Sequence, residues 1–543
     1  MRTDWYRRTI IYSVDPFHFQ DGNGDGIGDL PGVIKRLPYL RSLGVTCLWL
    51  APFYPTPMRD GGYDVSDYLS VDPRFGTLSD VAELFEAAED LGIRVMVELI
   101  VHHTSDQHPW FQEARRDKNS RYRDFYVWAD EPAPTEHKPI FPTVEDSVWR
   151  WDEEAGQYYR HIFYRHQPDL NMANPAVREE IRRVMAFWLR MGVAGFRVDA
   201  ASHMIEGARE DDPREDGFWF LEELHDYVRA WRRDGVLFGE VDVPPQEYEK
   251  YFGEGRRLTL VSNFWLNNYL YLALARGKAE PLCRALNEQP KAPPNAEYVV
   301  WVRNHDELDL ERLTDKEREE VLQRFAPHEN MRIYHRGIRR RIAPMLDGNI
   351  DWIALAHAVV MSMPGVPILR YGDEIGMGDD LSLKERLAVR TAMQWSDEEN
   401  AGFSNAPPED LACPLISEGQ YSYKQVNVYH QMLDERSLLS RLGKMIRTRI
   451  GLPALGSGQY RVLEADHPAV LAVQHDTDDP GDTVVCLANM SDELVHVRVH
   501  DMAAERFVDV LCDGPYDSRE TQSGAVTLHP YGYRWLLRRL VTR

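Results

Sequence analysis

Arg197 and Asp199 stand two residues apart in GFRVDAASHM, an apolar run that carries its charge at the end. On a β-strand, residues i and i+2 face the same side, so guanidinium and carboxylate meet. The arginine is expected to lower the aspartate's pKa and keep it ionised, as a nucleophile requires. A structural ion pair would use the same two residues. Glu240 ends a second apolar run, VLFGEV, and His305 and Asp306 follow a third, YVVWVRNHDE. Three separated apolar runs therefore end in carboxylates, the first of them charged as a nucleophile needs.

Something must bring those three stretches together. The apolar-periodic segment 218–231 between the first two reads as a helix, the crossover that parallel strands need. Three strands that end in charge on one rim point to the α/β class and a (β/α)8 TIM barrel, whose C-terminal rim carries catalysis. Further strands are expected at 8–15, 44–52, 93–101, 258–264 and 366–371, with a charged helical insertion at 307–324. Segment 104–168 is polar, poorly periodic and too long for a bare loop, so it reads as a small inserted domain after strand 3. From about residue 455 the pattern changes to short alternating strands bounded by Gly, Pro and Asp, which predicts a C-terminal antiparallel β-sandwich. The expected division is a catalytic barrel at 1–103 and 169–454, an inserted domain at 104–168 and a C-terminal domain at 455–543.

A chain of 543 residues is long enough for this arrangement. Its formal net charge of −24 argues against nucleic acid or an anionic membrane as partner. Five cysteines, odd in number and without metal-type spacing, suit a reducing compartment. The N-terminal MRTDWYRRTIIYSVD lacks the apolar core of a signal peptide, and no run of about 18 apolar residues occurs, so a cytoplasmic protein without a membrane segment is expected. Oligomeric state is left open, a homo-oligomer included. In DGNGDGIGDL, acidic and amide side chains alternate with glycine, a pattern that can wrap a hard cation in oxygen ligands. Asp21, Asn23, Asp25, the Ile27 carbonyl and Asp29 are the candidate ligands; an Asx/Gly turn without metal is the alternative.

The three carboxylate stretches, together with FQDGNGDGIGDL, PFYPTPMRDGGYDVSDY, HQPDLN, GIRRRIAPMLD, YGDEIGMGD and NAGFS, resemble the α-amylase superfamily of retaining α-glycosidases and transglycosylases. Within it they are similar to the trehalose-synthase branch. The resemblance implies that Asp199 is the nucleophile, Glu240 the general acid/base and Asp306 the carboxylate that grips the sugar. It implies substrate contacts from Tyr63, Asp64, His103, Arg197, His305 and Arg390, and calcium or magnesium in the 21–29 loop, with no organic cofactor. The implied activity is α-glucosyl transfer within a small disaccharide, maltose to trehalose, with hydrolysis of short α-glucosides as the alternative. A third reading, a non-catalytic barrel like the heavy chains of amino-acid transporters, conflicts with the presence of all three carboxylates and the lack of an anchor. Three stretches depart from the family pattern: AASHM after Asp199, VDVPP after Glu240, and strand 3, where Glu98 and His102 replace the usual Asp and Asn. The last departure removes a usual ligand of a second ion near Asp169, so an ordinary second calcium is not expected there.

Overall fold

The computed structural model describes residues 4–132, 138–209, 217–456, 458–502, 507–517 and 525–538. The rest of the inserted and C-terminal segments named above lies outside the described residues.

Eight parallel strands close a barrel: β1 Ile11–Val14, β2 Cys47–Leu50, β3 Arg94–Leu99, β4 Gly195–Val198, β5 Val236–Gly239, β6 Leu260–Ser262, β7 Glu297–Trp301 and β8 Val366–Arg370. Each pairs with the next in sequence, and β8 returns to β1 through Ile11↔Ile368. The strands read as apolar runs because both faces are buried. Ile11, Trp49, Met96, Phe238, Trp301 and Ile368 fill the interior, while Tyr12, Leu48, Val97, Phe196 and Leu237 pack outward under the helices. Alternation then forces Arg197, between outward-facing Phe196 and Val198, to point inward.

The crossovers carry clear start and stop signals. In helix Pro175–Met191 the Asn174 side chain accepts from Ala176 N, Pro175 opens the first turn, and Gly192 ends the helix at φ 113. Such a cap is worth about 1 kcal/mol, and the buried Val177, Ile181 and Trp188 fasten the helix to the barrel. Helix Trp219–Trp231 makes the β4–β5 crossover as predicted and buries Leu221, Leu224 and Val228.

The insertion between β3 and β4 holds helix Pro109–Arg116 and a small antiparallel sheet of Trp128–Ala129, Gln157–Arg160 and Trp149–Asp152. It leaves and rejoins the barrel at His103 and Asp169, which form an antiparallel bridge. After the barrel, a five-stranded and a two-stranded antiparallel sheet share one core that includes Leu463, Val485, Val495, Val526 and Leu536. This is the expected sandwich. The 307–324 insertion is only partly helical. Leu308–Asp309 pairs with Gly337–Ile338 first, and the helix starts at Asp315, where Thr314 and Glu317 form a capping box. The charge run concealed that pairing, because two residues are too few to show a strand period. Among the described residues no helix is long and apolar enough to cross a membrane.

Candidate active site

Register places Glu98 of β3 directly beside Arg197 of β4, both inward. Arg197 is the hub. Its Nη1 bonds Asp199 Oδ1 and lies 3.2 Å from Glu98 Oε2, while its Nη2 lies 2.8 Å from Glu240 Oε1. One planar group thus touches both expected reacting carboxyls. Just past Asp199, Ala200 adopts φ 48, a left-handed conformation that costs a non-glycine residue about 1 kcal/mol. The turn aims the Ala200 N–H at Glu240 Oε2, 3.2 Å away.

The expected electrostatics of Asp199 need correction. Burial raises its pKa; Arg197 opposes the rise, Asp306 adds to it, and burial wins. The sequence showed the arginine two residues away but not how much water the site excludes. Glu240 rises to about 7, again through burial first, with Arg197 pulling down and Asp199 and Asp306 pushing up. A carboxyl with that pKa can hold a proton near neutrality and then give it away. Asp306 goes the other way. Burial alone would raise it, but His305, Arg386, Arg390 and Arg197 hold it well below the usual range.

Most of the other predicted contacts gather here. The Tyr63 and His305 rings stack with centroids 5.3 Å apart, and Tyr63 Oη lies 2.7 Å from His305 Nε2. His103 lines the cavity and meets the Tyr63 carbonyl through Nε2 at 3.1 Å. Arg390 donates to Asp306 Oδ1 at 2.9 Å and to the His305 carbonyl at 3.0 Å. Its approach depends on Gly61, at φ 57: a Cβ there would sit 2.4 Å from the guanidinium. Asp64 is placed differently. It is fully buried, and its oxygens accept from Thr56 Oγ1, Arg59 N and Asp60 N, so it holds the loop together and does not line the cavity. Asp60 takes the rim instead, bonded to Arg386 at 2.5 Å; Arg386 also reaches Asp306 at 2.6 Å. Arg386 was not singled out from sequence. It sits in LSLKERLAV, and only its nearness in the chain to Arg390 hinted at it.

The cavity has a volume of about 500 Å³, within the range of small-molecule sites. Beyond Glu240 it is lined by Asp242, Val243, Glu247, Tyr251, Asp309 and Arg312. Asp242, Asp309 and Glu311 converge there, with Arg312 3.0 Å from Asp242 and Arg336 2.6 Å from Asp309. A larger hollow of about 1150 Å³ opens near Trp5, Arg7, Tyr298 and Tyr460, at the other end of the barrel. None of the three expected catalytic carboxylates lines it, so the smaller cavity is the candidate.

In the 21–29 loop, Asp21 accepts from the backbone N–H groups of Asn23, Gly24 and Gly26, and Asp25 accepts from Ile27 N. Asp29 Oδ1 caps the following helix through Gly32 N, while its buried Oδ2 has no hydrogen-bond partner among the described residues. Burial, with Asp21 and Asp25 adding, raises the Asp29 pKa to about 6. An orphaned carboxylate oxygen among like charges fits a hard cation. Near the expected second-ion position, Asp169 faces His102 Nδ1 and Arg160 Nε, each at 3.6 Å.

The family model for the alpha amylase catalytic domain matches residues 13–458, and that for the maltogenic amylase C-terminal domain matches 460–535. The trehalose synthase/amylase TreS of Mycobacterium tuberculosis is 41% identical over 500 residues, covering 90% of this chain and 82% of that protein. A trehalose synthase of Pimelobacter sp. is 37% identical over 553 residues, covering 98% and 95%. Among solved structures, the alpha-amylase from H. orenii superposes with TM-score 0.79 at 25% identity, covering 98% of this chain and 99% of that one. With the catalytic-domain match spanning most of its length, this chain belongs to the α-amylase family.

Proposed function

We propose that the protein is a retaining α-glucosyltransferase that interconverts maltose and trehalose. The observation that carries this reading is the Arg197 guanidinium shared by Asp199 and Glu240, both of which line the cavity of about 500 Å³. Asp199 attacks the anomeric carbon, and Glu240 protonates the departing glycosidic oxygen. The glucosyl–Asp199 ester is then attacked by a hydroxyl whose proton returns to Glu240. Asp306, kept anionic by Arg386 and Arg390, stabilises positive charge that develops on the ring. If the released glucose stays and presents its anomeric hydroxyl, the product is trehalose. A retained acceptor can outcompete water because its effective concentration is very high.

Hydrolysis of short α-glucosides is the second reading, favoured by the charged wall of Asp242, Asp309 and Arg312, which binds water well. The test is a time course on maltose alone with trehalose and glucose resolved. Trehalose forming faster than net glucose supports the isomerase, and glucose as the only early product defeats it.

We further propose calcium or magnesium in the 21–29 loop, held by Asp21, Asn23, Asp25, the Ile27 carbonyl and Asp29. When bound, the ion supplies structural cross-linking; the loop follows β1 and carries no reacting group. A cytoplasmic location belongs to the same reading, supported by five cysteines that all remain free thiols.

A further inference from the structure

We propose that Glu98 is a positioning residue for the reaction: its single carboxylate collects the donors that set both the Arg197 hub and the aromatic wall of the glucosyl site. This rests on Asp199 and Glu240 being the reacting pair. Trp49 Nε1–H reaches Glu98 Oε1 at 2.9 Å, and Arg197 reaches Oε2 at 3.2 Å. His305 Nε2 lies 2.7 Å from Tyr63 Oη and 3.1 Å from Asp306 Oδ2. A lone pair facing that aspartate would be repelled, so Nε2 carries the proton. Tyr63 then accepts from His305 and gives its own hydroxyl proton to Glu98 Oε1, 2.8 Å away. The donors of Trp49, Tyr63 and Arg197 thus converge on Glu98, which is 1% exposed.

Two consequences follow. The stacking of Tyr63 on His305, which shapes the pocket, is anchored through the Tyr63 hydroxyl. The orientation of Arg197, which contacts Asp199 and Glu240, is anchored through Oε2. Glu98 touches no reacting atom, so it acts only through these neighbours. Burial pushes its pKa up to about 8, with Asp199 adding to the rise and Arg197, Tyr63 and Trp49 opposing it; in its ionised form it also carries charge into the site. The groups facing Glu240 are Arg197, Asp199, Asp306 and the Ala200 N–H, and Glu98 offsets part of the Arg197 charge.

The test uses the full chain and an aryl α-glucoside, whose cleavage reports the glucosyl step whatever the acceptor. In Glu98→Gln the amide must turn an N–H toward either Arg197 or the Trp49 and Tyr63 donors. We expect kcat to fall about 10- to 100-fold, as for other groups that orient reacting residues. Loss of the negative charge should also move the alkaline limb of kcat/KM down by about one pH unit. Glu98→Asp keeps the charge but withdraws the carboxyl by one methylene, so it should restore the limb while kcat stays reduced. A purely structural role would lower thermal stability without shifting the limb. Wild-type kcat and limb in a folded Glu98→Gln overturn the proposal, as does Glu98→Asp shifting the limb equally. If Glu98→Gln does not fold, Glu98→Asp decides alone: full kcat overturns the proposal, and reduced kcat with an unmoved limb supports it. Asp199→Asn is the control. If it remains active, or the wild type is inert, the reading of the reacting pair fails and this proposal falls with it.

Discussion

At one side of the cavity the half-buried Asp306 meets Arg386 at 2.6 Å and Arg390 at 2.9 Å, and its pKa is driven down. At the other side the half-buried Asp242 meets Arg312 at 3.0 Å with Asp309 and Glu311 beside it, and its pKa rises to about 8. For Asp242 burial is the largest cause, Arg312 opposes it, and the two acidic neighbours add to it. The contrast shows that desolvation sets the direction unless the opposing charge outweighs it: His305 and three arginines do so at Asp306, whereas at Asp242 the pull of Arg312 and Arg336 is offset by Asp309 and Glu311. The glucosyl side is therefore built to hold fixed charge where charge develops. In the proposed reaction the other side is the acceptor wall, whose ionisation is easily shifted.

The largest effect should come from the glucosyl side. Asp199→Asn is expected to cut kcat by on the order of 10⁴-fold with thermal stability nearly unchanged, since one member of a catalytic unit costs nearly as much as all. Retention of a tenth of the activity would make the two sides of the cavity functionally alike. Next comes pH. Glu240 must be protonated to act as acid, and its pKa is about 7. kcat/KM should thus fall about tenfold per unit as pH rises well above 7. A profile still flat at pH 9 would remove Glu240 from that role.

Arg312→Ala tests the acceptor side. It leaves Asp242 without its arginine, and we expect the glucose-to-trehalose ratio from maltose to rise several-fold while cleavage of an aryl α-glucoside changes by less than about threefold. Equal loss of both products would mean that the wall also serves the first step. The smallest catalytic effect should follow removal of the ion from the 21–29 loop. A ligand present at 100 times its Kd stabilises by about 2.7 kcal/mol, so chelation should lower Tm by several degrees and leave kcat intact at low temperature. Activity lost before stability would place the loop in the chemistry.

Much of this contrast was visible in the chain itself, and its visibility divides the same way. Asp199, Glu240 and Asp306 were legible because each follows an apolar run whose period places it on the rim. The barrel was legible because those runs alternate with capped helical segments, such as Asn174–Pro175 before and Gly192 after the Pro175–Met191 helix. The acceptor wall was not. Asp242 and Arg312 belong to charged stretches with no period, and their meeting depends on how two loops cross.

The sequence by itself determined the barrel, the order of its strands and the residue types available for attack and proton transfer, because strand period and helix capping act over neighbouring residues. Tertiary structure decided three further matters. It chose Asp60 over Asp64 for the rim, since the turn spends both Asp64 oxygens on Thr56, Arg59 and Asp60. It brought Arg386 to Asp306 across a long loop. It raised Asp199 despite the adjacent arginine, because the cost of burying charge depends on all the water a folded site excludes and not on the nearest partner in the chain.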